Sequence, residues 1–185
     1  MITLPATTDA ELLEPLTELH ARAGRPLPRA SIIEPQAIPE PYRTLLVHER
    51  DMTRTLEQFH RHPIHLEVLK RLQDGPDAYR REVVLRLDGS NQPVEFGAIQ
   101  IHLRQFPEPW RTQVLEERLP LGAILNASHI NYTSRPRAYL RFECDDFIRE
   151  LFGLDSNPSL YGRRNTLRNA AGASLAEIIE ILPPT

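Results

Sequence analysis

Apolar positions along the chain change period several times. Leu12, Leu13, Leu16 and Leu19 recur at helical intervals between Asp9, a candidate N-cap, and Gly24, so the spacing predicts a helix over 9–24. Five prolines between Arg25 and Pro41 break any regular period and predict an extended segment lying on the surface. Pro41 then opens a short helix over 42–47, and a second follows over 51–60. The period becomes two at Leu66, Val68 and Leu72, again from Arg81 to Leu87, and again from Val94 to Leu103, which predicts a long antiparallel hairpin turning at Asp88-Gly89. Helical spacing returns over 108–118 and 121–125, a strand is predicted over 137–144, and a helix over 145–152. A second hairpin pairs 160–168 with 175–182, and Gly172 in its turn is free to take a positive φ. Hairpin-joined strands with helices before and between them predict an α+β domain. Its core is a single antiparallel sheet with helices packed on one side. Residues 1–41 read as an N-terminal helix and proline-rich extension, and 42–185 as the domain proper.

Strand parity singles out three charged positions. Side chains at i, i+2 and i+4 share a face, so Arg81 points with Val83, Leu85 and Leu87, while Arg80, Glu82 and Arg86 point the other way. On the last strand Glu180 shares a row with Ala176, Ile178 and Leu182, and Glu177 shares one with Leu175, Ile179 and Ile181. A buried charge left without a partner costs about 3–5 kcal/mol. An inward Arg and an inward Glu therefore form either an internal ion pair or a ligand site.

Composition narrows the chemistry. The 185 residues carry 22 Lys plus Arg against 25 Asp plus Glu, a net charge of −3, without the basic excess that a run of phosphates requires. No nucleic acid and no membrane partner is expected. The single cysteine, Cys144, excludes an internal disulfide and a multi-thiolate metal site, and fits a reducing cytoplasmic setting. Lys70 is the only lysine and stands in no phosphate-loop context. Residues 1–13 have no basic residue and no long apolar run, so no signal peptide is expected. His60, His62 and His65 are close in sequence, but Pro63 breaks any helical face they could share, and they read as surface histidines. No metal and no cofactor is expected.

Four blocks, in order, resemble the chorismate lyase (chorismate pyruvate-lyase) family over roughly Leu45 to Pro183. They are Asp51-Met52-Thr53; Arg81-Glu82 leading into an apolar strand and Asp88-Gly89; Leu119-Pro120-Leu121-Gly122; and Leu160-Tyr161-Gly162-Arg163-Arg164, followed by Glu180 just before Leu182-Pro183. The resemblance implies helical flaps closing over an internal pocket. It also implies elimination of pyruvate from chorismate to give a hydroxybenzoate, with 4-hydroxybenzoate the expected product. In that scheme Arg81 and Glu180 are the catalytic pair, with Arg81 also binding the substrate carboxylate and Glu180 lying by the ring hydroxyl. Backbone at Met52 and Leu121 helps hold the aromatic product, and Arg163 is a further substrate-binding candidate. An arginine fork suits a carboxylate, and a Glu in an apolar strand can hold a proton near neutrality. A monomer is expected.

The chain departs from the family where Ile179 replaces a Thr before the Glu, and where Gly97-Ala98 lacks an Arg after the Gly. A second carboxylate of chorismate would need Arg163, Arg137 or a histidine instead, and Glu95 nearby would repel an anion. The alternative is a non-catalytic module that binds or senses an aromatic carboxylate. The same fold serves as the sensing domain of bacterial DNA-binding regulators, although no basic recognition helix precedes the matched region.

Overall fold

A computed structural model describes residues 9–185. The helical period at the start resolves into α1 (Asp9–Leu12) and α2 (Leu16–Ala23), because Pro15 has no N–H to continue the ladder. The capping role read for Asp9 rests on a side chain outside those described. In the proline-rich stretch, Pro28 and Pro35 flank a proline-free run that forms a short edge strand, β1 (Ala30–Ile33), and does not merely lie on the surface. It pairs with the later strand β5, with Ala30 opposite Phe142 and Ile33 opposite Tyr139.

The helices α3 (Tyr42–Leu46) and α4 (Met52–His60) form where predicted, and the Asp51 carboxylate caps α4 by accepting from Arg54 N at 3.3 Å. The middle of the chain is a three-stranded meander, β2 (Ile64–Asp74), β3 (Ala78–Leu87) and β4 (Pro93–His102), where two strands were expected to suffice. There follow α5 (Trp110–Glu116), α6 (Leu121–Ser128), β5 (Tyr132–Glu143), α7 (Asp146–Phe152), β6 (Ser159–Asn169) and β7 (Ser174–Leu182). All seven strands make one antiparallel sheet in the order β1-β5-β6-β7-β4-β3-β2.

Both faces of the sheet are covered. On one, the leucines of α1 and α2 with Ile148 and Phe152 of α7 pack against Val84, Phe96, Phe142, Leu160, Ile179 and Ile181 in a single apolar cluster. The N-terminal segment is thus built into the sheet and the core. Glu82 is fully buried on this face, where the Arg25 guanidinium meets its carboxylate and His20 lies 3.5 Å away. This pairing ties the stretch after α2 to β3.

On the opposite face the core is split. Val114 of α5 and Leu121, Ile124 and Leu125 of α6 pack over Ile99, Ile101, Leu167 and Ala176. Leu45 and Leu46 of α3, with Met52 and Leu56 of α4, pack over Leu85, Leu87, Val94 and Leu182. Between these two lids the strands present polar side chains to an internal space.

One close approach sets the spacing of the central strands. A Cβ at Gly162 would stand 2.1 Å from the carbonyl oxygen of Glu180 and 3.0 Å from the Phe142 ring. Only a residue without a side chain fits there. Gly162→Ala should therefore destabilise the protein by about 3 kcal/mol or prevent folding. Urea unfolding checks this, and a loss below about 1 kcal/mol would show that the strands part more easily than their packing implies.

Candidate functional site

The space between the two lids is a cavity of about 70 Å³. That is several times the roughly 10–15 Å³ a buried water needs on the same measure. Its floor comes from four neighbouring strands: Arg81, Val83 and Leu85 of β3; Glu95, Gly97 and Ile99 of β4; Ile178 and Glu180 of β7; and Asn165 and Leu167 of β6. Its roof is Asp51 and Met52 at the start of α4, and Pro120, Leu121 and Gly122 at the start of α6. Met52 and Leu121 are first-turn residues, where backbone N–H groups lack intrahelical partners.

Arg81 points inward with Val83 and Leu85, as strand parity indicates, and is 1% exposed. Its Nη2 donates to the Leu119 carbonyl at 3.4 Å, a long bond, while Nε and Nη1 have no partner among the described residues. Burial pulls its pKa below the usual arginine value. The neighbouring Tyr79 hydroxyl, itself donating to Glu117, works against that shift. An arginine in such a place stays charged. It therefore presents two unused donors and a positive charge to an otherwise largely apolar cavity.

Glu180 is 3% exposed on the same floor, but its carboxylate is already engaged by Arg163 Nε from the adjacent strand. Arg163 is fully buried, and its Nη1 also donates to the carbonyls of Leu46 at 3.0 Å and His48 at 2.9 Å. It thereby fastens the turn after α3 to the sheet and is absent from the cavity wall. Arg137 lies elsewhere, exposed in a groove beside Leu12, Ile32 and Arg164. Among the described residues no histidine lines the cavity. His48, next to Arg163, is held neutral: burial and the guanidinium lower its pKa to about 4.

Two further carboxyl groups belong to the site, one read in the sequence only as a group that would repel an anion and the other only as part of a family block. Glu95 is 5% exposed, and its Oε2 has no partner among the described residues. Burial, then the charge of Glu180, raises its pKa well above the ordinary 4.5. The apolar alternation of β4 that runs through Ile99 and Ile101, extended back by two steps, places Glu95 on the inner face. Asp51 does more than cap α4: it accepts from Asn126 Nδ2 at 3.3 Å, and burial raises its pKa too. Gly122 makes room for it, since a Cβ there would lie 2.0 Å from Asp51 Oδ1. The Leu119-Pro120-Leu121-Gly122 block thus has a steric reason for its glycine.

A single antiparallel sheet with helices on one face and helical flaps over an internal pocket on the other is the chorismate lyase-like α+β fold. No family model matches the chain, and no curated protein does. Solved structures do. PhnF from Mycobacterium smegmatis aligns with a TM-score of 0.56 at 12% identity, covering 74% of this chain and 64% of that one. The effector domain of the same PhnF aligns with a TM-score of 0.52 at 12% identity, covering 71% and 87%. YydK from Bacillus subtilis, described as a possible transcriptional regulator, aligns at 0.51 and 8% identity, covering 65% and 58%. The chain therefore spans less than two thirds of the length of PhnF and of YydK. At these identities the likeness is one of fold. Among the described residues no helix is long and apolar enough to cross a membrane.

The two perturbed groups give opposite pH signatures. Folded Glu95 holds its proton more tightly than the unfolded chain, so above pH 4.5 its burial costs stability that grows as pH rises. Folded His48 resists protonation, so its contribution is present above pH 6.5 and is lost as pH falls towards about 4. Glu95→Gln should melt with wild type near about pH 4 and above it at about pH 8, as read by thermal denaturation across pH. A constant difference across that range would mean that Glu95 is ionised in the native state.

Proposed function

We propose that this protein binds a small carboxylate with an apolar, ring-sized body in the cavity between its lids, and that the Arg81 guanidinium holds the carboxylate. The observation that carries the reading is the buried Arg81 with two unused donors facing an apolar wall. A buried polar group without a partner costs about 1–3 kcal/mol, more when charged, and a bound carboxylate would recover that cost through paired N–H···O bonds. The named effector domain and regulator among the structural neighbours favour a binding or sensing role over catalysis. Met52 and Leu121 would contribute first-turn N–H groups and apolar surface to the same ligand. Arg163 acts behind the cavity, holding Glu180 and the flap in place.

A second reading, chorismate lyase activity, is supported by one feature. Glu95, whose pKa burial raises, shares the floor with Arg81 and Glu180, an arrangement able to assist proton movement in an elimination. Against it stands the engagement of Glu180 by Arg163.

Purified protein should bind hydroxybenzoates in calorimetry, and Arg81→Ala should weaken binding about 10–100-fold, the loss of one charge-assisted contact of about 1.5–3 kcal/mol. Incubation with chorismate, followed by chromatography, should leave it intact. Formation of pyruvate and a hydroxybenzoate that is lost in Glu180→Gln would instead establish the lyase. Binding unaffected by Arg81→Ala would remove Arg81 from the site.

A further inference from the structure

Arg81 accounts for one end of the cavity, and the other end has the opposite need. Glu95, Glu180 and Asp51 all contribute to the wall there; Arg163 behind it is spent on Glu180 and on two flap carbonyls, and Arg50, which also lines the cavity, is exposed to solvent. Asp51 has the first turn of α4 and Asn126 as partners. Glu95 has none for Oε2, although nineteen-twentieths of its surface is buried. The floor thus carries an unmatched positive group and an unmatched carboxyl, separated by Val83, Leu85, Ile99 and Ile178, none of which can satisfy either.

The register gives the spacing of the rungs that carry them. Arg81 stands opposite Ile99, and Val83 opposite Gly97. The Glu95 carboxyl leans over Gly97, its Oε1 3.2 Å from where a Cβ would sit. The absent side chain at Gly97 is what lets it lie there. The rung of Gly97 and the rung of Arg81 are two residues apart, about 6.6 Å along the strand.

Resting on the carboxylate reading above, we propose that the natural ligand is a zwitterion: its carboxylate meets Arg81, and an ammonium group at the far end of its apolar body meets Glu95, with Asp51 and Glu180 adding to the negative field. Burial, then the neighbouring charge of Glu180, favours the protonated form of the Glu95 carboxyl. A ligand ammonium takes the place of that proton, and the carboxyl becomes a charged acceptor. A second carboxylate on the ligand would meet Glu95 with the wrong sign, so dicarboxylates are rejected.

The test uses three probes of one shape: 4-(aminomethyl)benzoate, 4-methylbenzoate and terephthalate, each titrated calorimetrically into the full chain near neutral pH. The aminomethyl compound should bind at least about tenfold more tightly than the methyl compound, the scale of one hydrogen bond to a charged group, and terephthalate should bind weakest. In Glu95→Gln the ratio between the first two should collapse to within about threefold, with unchanged circular dichroism showing that the variant is folded. Glu95→Asp, which keeps the charge on a shorter stem, should retain part of the preference. Equal or weaker binding of the aminomethyl compound, with both benzoates still dependent on Arg81, would overturn the zwitterion and leave the carboxylate site standing. Failure of both benzoates to bind, with Arg81→Ala indistinguishable from wild type, would overturn the carboxylate reading itself.

Discussion

The Arg163–Glu180 pair is the contact on which the rest of the site depends. It joins neighbouring strands, and the same guanidinium reaches out to the carbonyls of Leu46 and His48, so sheet and flap share one buried cation. Removing either member would leave an uncompensated charge in a dry interior, a loss of several kcal/mol. The pair also decides how charge is distributed in the cavity. With Arg163 turned towards the flap and Glu180 engaged, Arg81 Nε and Nη1 and Glu95 Oε2 are left among the cavity's polar atoms without a partner among the described residues.

A cavity exists here because the core on this face cannot close. Two apolar clusters form under α3 and α4 and under α5 and α6, each satisfied by its own helices. The rungs between them carry Arg81, Glu95, Glu180 and Asn165, whose polar atoms no apolar helix could cover without large desolvation costs. The lids meet over these rungs through Asp51, Gly122 and Asn126. The opposite face packs its apolar residues against α1, α2 and α7 as one core, with Glu82 answered by Arg25 and His20. One face gives the sheet its stability, and the other holds the site.

Similarity of fold at 8–12% identity to PhnF and YydK fits this division of labour. A seven-stranded antiparallel sheet can be specified by alternation, turn residues and a few close approaches such as Gly162. The cavity wall can then vary with the ligand. Nothing in the sheet itself calls for a carboxyl at Glu95, over Gly97 on the floor.

Local pattern in the sequence determined the order and type of most elements and the inward direction of Arg81 and Glu180, because periodicity acts within a few residues. It was silent on what depends on neighbours far along the chain. β1 was hidden among prolines, since an edge strand is defined by the partner it pairs with rather than by its own propensity. Glu82 gives no sign in sequence of being sealed under α2, and Arg163 gives none of being turned away from the cavity. Which inward charges pair with each other and which are left facing empty space was decided only when β6 came to lie beside β7 and the turn after α3 closed over them. Electrostatic partnership is a property of three-dimensional neighbourhood, and strand parity sets only the face from which each group takes part.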